Sequence, residues 1–175
     1  MTSHLYDFKL KDCFGKKIDL NLYKGKAIII VNVASKCGLA EKSYNKLRKI
    51  KETYPSEVVI ILCPCKQFLS QEHDKLDKVI EFVDHKLGTN IKEQQNLSQE
   101  KQTVILTEVI EVKGSNMHPL YGFLIKEQTG FITNNIKWNF SVFLGDKQGK
   151  IVKRYSPLGF ITYDDHMLVK VINDK

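Results

Sequence analysis

The sequence has little of what marks a crosslinked, metal-built or membrane-spanning protein. It holds four cysteines in 175 residues, Cys13, Cys37, Cys63 and Cys65. That is too few for the disulfide framework of a small secreted scaffold. The spacing offers no two CxxC-type pairs, so no structural zinc site and no bound metal are expected. Arginine is scarce: Arg48 and Arg154 are the only two, and lysine supplies the rest of a formal net charge of +7. Readers of nucleic acid rely on the bidentate arginine fork, and no motif of that class occurs. The charge therefore reads as a solvated basic surface, with no nucleic-acid partner and at most weak attraction to anionic membrane lipid. No apolar run approaches the roughly 18 residues of a membrane span. The opening MTSHLYDFKLKD alternates apolar and polar residues and does not read as a signal peptide. A reducing, cytoplasmic setting is expected, where a cysteine serves chemistry or packing rather than crosslinking.

What is present is an ordinary globular composition, 42% hydrophobic and 27% charged, enough for one domain over residues 1–175. Leu5 to Tyr23 reads as a hairpin about a Gly15-Lys16-Lys17 turn. Ala27–Ala34 (AIIIVNVA) is β-branched and apolar on both faces, as a central buried strand requires. A helix follows, marked by Leu39, Tyr44, Leu47, Ile50 and Tyr54 and ended by Pro55. Glu57–Leu62 supplies a second buried strand, completing a right-handed βαβ unit. Asp74 is placed as the cap of a second helix striped by Leu76, Val79, Ile80, Val83 and Leu87 and stopped at Gly88. Residues 90–101 read as loop and Val104–Val112 as strand. His118-Pro119 opens a third helix. Residues 129–137 read as loop. Ser141–Gly145 and Lys150–Tyr155 form a hairpin, and Met167, Leu168, Val171 and Ile172 stripe a last helix. The sum is an α/β fold: a central mixed sheet flanked by helices, with an N-terminal hairpin. A thioredoxin-like arrangement is one of several small folds that fit.

Cys37 carries the most chemical information. It falls between the end of a buried strand and the start of a helix. Unpaired N–H groups and the positive end of the helix dipole favour an anion there. Lys36 adds charge, and both effects raise the thiolate fraction. Gly38 lets a substrate approach the backbone. The plain alternative is a buried packing cysteine. Cys63-Pro64-Cys65 ends the neighbouring parallel strand and so borders Cys37. Gln67 and Gln71 lie in the loop that follows. Trp138-Asn139-Phe140 precedes the late hairpin, and its indole N–H and amide are suitable donors to a thiolate.

Three ordered motifs resemble those of the glutathione peroxidase family over nearly the whole chain. They are Asn32-Val33-Ala34-Ser35-Lys36-Cys37-Gly38-Leu39, then Pro64-Cys65-Lys66-Gln67-Phe68 with Gln71-Glu72, then Trp138-Asn139-Phe140 with Phe143-Leu144. Asn is usual in the family where Lys66 stands. The resemblance implies a thioredoxin-like fold and a catalytic tetrad of Cys37, Gln71, Trp138 and Asn139. It implies a thiol-dependent peroxidase that reduces hydrogen peroxide and organic or lipid hydroperoxides. A Cys37 sulfenic acid would form and be reduced by glutathione or thioredoxin, with no bound cofactor. Many thioredoxin-using members carry a resolving cysteine in the second helix. Residues 74–90 contain none, and Val83 stands near that place. Direct resolution by glutathione, an internal resolver among Cys65, Cys63 and Cys13, and reduction by thioredoxin all stay open. So does a role as peroxide sensor, with Cys37 passing its oxidation to a partner protein, and so does a non-catalytic thioredoxin-like binding module. The segment from Val112 to Lys137 is too short for the family's tetramer assembly loop, so a monomer is expected.

Overall fold

The computed structural model describes residues 3–130 and 132–175. Two short strands, β1 (Leu10–Lys11) and β2 (Lys17–Ile18), pair antiparallel. There follow β3 (Ala27–Val33), α1 (Ala40–Thr53), β4 (Val58–Pro64), α2 (Leu76–Leu87), α3 (Ile91–Gln94), β5 (Val104–Leu106), α4 (Pro119–Glu127), β6 (Val142–Gly145), β7 (Ile151–Tyr155) and α5 (His166–Asn173). The last five of the strands form one sheet in the order β5-β4-β3-β6-β7. β3 and β4 run parallel, as do β4 and β5, while β6 and β7 are antiparallel additions.

The β-branched run of β3 occupies the centre, and every one of its residues is buried. Alternation divides them between two cores. Ile29, Val31 and Val33 pack with Tyr44, Leu47 and Ile50 of α1, Val79, Ile80 and Val83 of α2, and Leu168 and Val171 of α5. Ile28 and Ile30 pack on the opposite face with Leu120, Tyr121 and Leu124 of α4 and with Leu5, Leu10 and Ile18 of the N-terminal segment. Parallel β3 and β4 end on the same edge, which gathers the loops after them.

Four expectations are corrected. The N-terminal hairpin is confined to two residues per strand; Leu5–Asp7 and Leu20–Tyr23 wind into 3₁₀ turns instead. The Asp19 carboxylate accepts the Asn21 N–H and so nucleates the second turn locally. Asp74 does not cap α2. It pairs with Lys66 at 3.0 Å, and Lys75 occupies the cap position without a side-chain bond. Residues 90–101 are not all loop: the Asn90 side chain accepts the Glu93 N–H and starts α3, and Gln99–Lys101 form a 3₁₀ turn. The fifth strand stops at Leu106, well before Val112. The Gln67 side-chain oxygen accepts the N–H groups of Val112 (2.7 Å) and Lys113 (3.2 Å), and this draws the chain away from the sheet.

Helices α4 and α5 begin as their sequences specify. His118 Nδ1 accepts the Leu120 N–H ahead of Pro119. Asp165 accepts the N–H groups of Met167 and Leu168 and the Tyr155 hydroxyl. Burial alone would raise the Asp165 carboxyl, but the bonds from Tyr155, Leu168 and Lys153 outweigh it and hold it below the usual range. Its contribution is thus present above the ordinary carboxyl value of about 3.9 and lost as pH falls through the lower folded value. Asp165→Ala should cost about 1–2 kcal/mol at pH 7. Urea unfolding at pH 7 and at about pH 3 should show that cost shrinking with acid.

Candidate active site

The edge formed by the ends of β3 and β4 carries the chemistry. After Val33 the chain turns through Ser35 and Lys36 to Cys37, whose N–H donates to Ala34 O at 3.4 Å. The Ala40 N–H in turn donates to Cys37 O at 2.9 Å, placing the thiol at the mouth of α1. Cys37 is 6% exposed, between an exposed Lys36 and an exposed Gly38. The N-terminus of α1 and the lysine next to the thiol both present positive charge to an approaching anion.

The loop after β4 reaches back to this turn. Leu69 (φ 54°) and Ser70 (φ 51°) both take left-handed backbone, a conformation that costs non-glycine residues free energy. The double kink reverses the chain so that Gln71 O accepts the Lys36 N–H at 2.8 Å. The next residue adds a second tie: Glu72 Oε1 accepts the Ser35 N–H at 3.1 Å.

The third segment is hung from β3 itself. Asn32, fully buried in an otherwise apolar strand, donates from Nδ2 to Trp138 O (3.1 Å) and accepts the Ser141 N–H at Oδ1 (3.0 Å). Its backbone carbonyl accepts the Phe140 N–H at 2.7 Å. Phe140 is held at φ 66°, which turns the preceding residues toward the site. Asn139 is buried and donates from Nδ2 to Gln71 Oε1 at 3.1 Å. Trp138 is half-buried, its ring 5.7 Å from that of Phe68. The segments carrying Cys37, Gln71 and Trp138-Asn139 are therefore linked in series: Lys36 to Gln71 through the backbone, Gln71 to Asn139 through side chains.

The Cys63-Pro64-Cys65 segment borders the end of β3, where the Cys65 N–H donates to Val33 O at 3.0 Å, but its thiols face a different core from that of Cys37. Cys37 belongs to the core under α1, α2 and α5, whereas Cys63 and Cys65 are buried in the opposite core against α4. The Cys65 thiol donates to Gln67 Oε1 at 3.7 Å. Cys13 is half-buried at the β5 edge, where its N–H donates to Leu106 O. Burial pushes Cys13 and Cys63 up to about 12 and raises Cys65 as well. All four are free thiols. Val83 is fully buried in α2. Among the described residues no group of three or more His, Cys, Asp or Glu is placed to hold a metal. Sequence reasoning missed two residues of this site, Asn32 and Glu72. A lone amide within AIIIVNVA was a usable signal for the first, because a buried polar group on a central strand needs partners off the ladder.

Residues 5–125 match the family described as Glutathione peroxidase. The chain belongs to the glutathione peroxidase family. It is 40% identical over 154 residues to a probable phospholipid hydroperoxide glutathione peroxidase of Nicotiana sylvestris, covering 87% of this chain and 83% of that one. It is 39% identical over 156 residues to glutathione peroxidase 1 of Caenorhabditis elegans, covering 89% and 88%. The crystal structure of T. cruzi GPX1 superposes with a TM-score of 0.70 at 27% identity, over 97% of both chains. A thioredoxin-family thiol:disulfide interchange protein from Chlorobium tepidum shares the fold at a TM-score of 0.59 and 15% identity, over 95% of this chain and 93% of that one. The fold is thus the thioredoxin-like one, and this glutathione peroxidase is a thiol-dependent oxidoreductase that reduces hydroperoxides.

Two measurements check this geometry. Asn32→Ala leaves the Ser141 N–H without its acceptor and the Trp138 carbonyl with only the Ser141 hydroxyl at 3.5 Å, so the protein should lose about 1–3 kcal/mol of stability in urea unfolding. With values raised above the ordinary thiol, Cys13, Cys63 and Cys65 stay protonated at pH 8. Iodoacetamide at that pH should accordingly leave the Cys37→Ser variant unlabelled by mass spectrometry.

Proposed function

We propose that Cys37 is the peroxidatic nucleophile and that Gln71, Trp138 and Asn139 supply the hydrogen bonds around it. The observation that carries this reading is the chain of bonds from Lys36 to Gln71 to Asn139, which draws three distant segments to one helix mouth. The Cys37 thiolate attacks the terminal oxygen of the hydroperoxide, the O–O bond breaks, and Cys37 becomes a sulfenic acid. The alkoxide or hydroxide that leaves takes a proton and departs as alcohol or water. A first thiol condenses with the sulfenic acid, releasing water and forming a mixed disulfide, and a second thiol restores Cys37.

The substrate class we assign is hydrogen peroxide together with organic and lipid hydroperoxides, in keeping with the names of the plant relatives. The reductant is an external thiol, glutathione or thioredoxin. A groove opening at Gly38 is lined by Lys42, Lys46 and Lys49 against two acidic residues, Glu41 and Asp164, and this excess of positive charge offers an anionic thiol a place to dock. None of these lysines forms an ion pair among the described residues, and the same charges suit weak contact with anionic lipid. We take the working unit to be a cytoplasmic monomer of one domain over residues 1–175. Cys65 is a poor internal resolver because the sheet separates its core from that of Cys37. That separation also favours a second reading, in which Cys37 oxidised by peroxide passes its oxidation to a partner protein.

Cys37→Ser should abolish peroxide turnover with glutathione and with thioredoxin alike; retained turnover would sink the assignment. One equivalent of peroxide should add one oxygen atom to the wild-type mass rather than remove two hydrogens. Rapid oxidation of Cys37 with slow turnover by both reductants would select the relay.

A further inference from the structure

Glu72 is a buried carboxylate that the tetrad does not use. It is 2% exposed. Its Oε1 accepts two backbone N–H groups, that of Ser35 at 3.1 Å and that of His73 at 2.9 Å. Those residues lie two before Cys37 and two after Gln71, so one oxygen spans the two loops whose relative position sets the distance from thiol to amide. The other oxygen, Oε2, is buried without a partner. So are the Tyr44 hydroxyl and Ser35 Oγ. Tyr44 lies on α1 in the same core as Cys37, its ring edge-on to Phe140 (5.8 Å) and Phe82 (5.4 Å). Burial first and the neighbouring Glu72 carboxylate second hold the Tyr44 hydroxyl in its protonated form, well above its ordinary value. One of these unpaired buried groups is a donor and another an acceptor, and such groups are rarely left without a partner or a bridging water.

We propose that Glu72 is a positioning residue for the peroxide reaction. It clamps the Cys37 turn to the Gln71 loop through Oε1, and its Oε2 is braced by the Tyr44 hydroxyl through one water. This rests on Cys37 being the peroxidatic thiol. The carboxylate touches neither thiol nor peroxide; it fixes Gln71, and through it Asn139, relative to Cys37. An amide oxygen can accept the same two N–H groups, so Gln at this position keeps the clamp whereas Ala removes it.

The test compares two reactions of Cys37. Oxidation by hydrogen peroxide needs the placed donors, while alkylation by iodoacetamide needs only an accessible thiolate. In Glu72→Ala the rate of oxidation should fall by about tenfold or more, while alkylation changes by less than about threefold and Glu72→Gln restores the oxidation rate. Equal loss in both reactions would mean a merely structural role, and no loss in either would mean no role; both overturn the proposal. Failure of Glu72→Gln to restore the rate would show that the charge matters rather than the clamp, and overturns it too. Tyr44→Phe keeps the ring and removes the brace, so it carries the test should Glu72→Ala not fold: oxidation should slow by about threefold or more with alkylation unchanged, and an unchanged oxidation rate overturns the brace. Absence of Cys37 oxidation in the wild-type protein would defeat the peroxidatic assignment itself, a result distinct from all of these.

Discussion

The site depends on the buried amide of Asn32. An apolar residue there would serve the sheet well, since β3 is otherwise an unbroken β-branched strand. The amide instead leaves the ladder and takes hold of the segment from Trp138 to Ser141, which stands more than a hundred residues away in sequence. Each such bond contributes only about 1 kcal/mol net. Breaking them is far more costly, because the groups left behind are buried and cannot be rehydrated. That asymmetry makes the third segment's position nearly all-or-none. Phe140 pays in strained backbone at φ 66°, and the turn it makes delivers Asn139 to Gln71.

The same logic separates the four thiols. They share one chemistry, and their surroundings divide them. Cys13 and Cys63 are pushed up to about 12 and Cys65 is raised, each chiefly by burial. Cys37 is as little exposed as many core residues, but it sits where a helix presents unpaired N–H groups beside Lys36. Burial opposes ionisation wherever no compensating dipole or charge is near. A strand-to-helix turn on the edge of a parallel pair supplies both compensations at once, which is why the thioredoxin-like topology suits thiol chemistry.

Much of this could be read from the sequence. The apolar run of β3, the helical stripe of α1 and the parallel crossover place Cys37 at the strand–helix junction without any coordinates. The motifs name Gln71, Trp138 and Asn139. What escaped was set by single side chains acting on distant backbone. Gln67 draws residues 112 and 113 off the sheet and shortens β5. Asp19 winds a turn where alternation suggested strand. Glu72 looked like part of a motif, and its partner Ser35 lies in a segment more than 30 residues away, beyond what periodicity can see. The opposite cores of Cys37 and Cys65 were equally hidden, because adjacency of strand ends does not reveal which face a side chain takes.

That last point bears on how the oxidised thiol is restored. A disulfide needs its two Cα atoms within about 7 Å. Cys65 would have to cross the sheet edge, and Cys13 would have to leave the far edge beyond β4. Position 83 lies on the same core face as Cys37, in α2, but Val83 is fully buried there among the apolar side chains that dock the helix. Val79, Ile80 and Val83 together hold α2 against that core. On the proposed reading the reducing thiol comes from outside, approaching over the exposed Gly38 and the lysines of α1. On that reading the charges along the groove, rather than a second cysteine, select the thiol that restores Cys37.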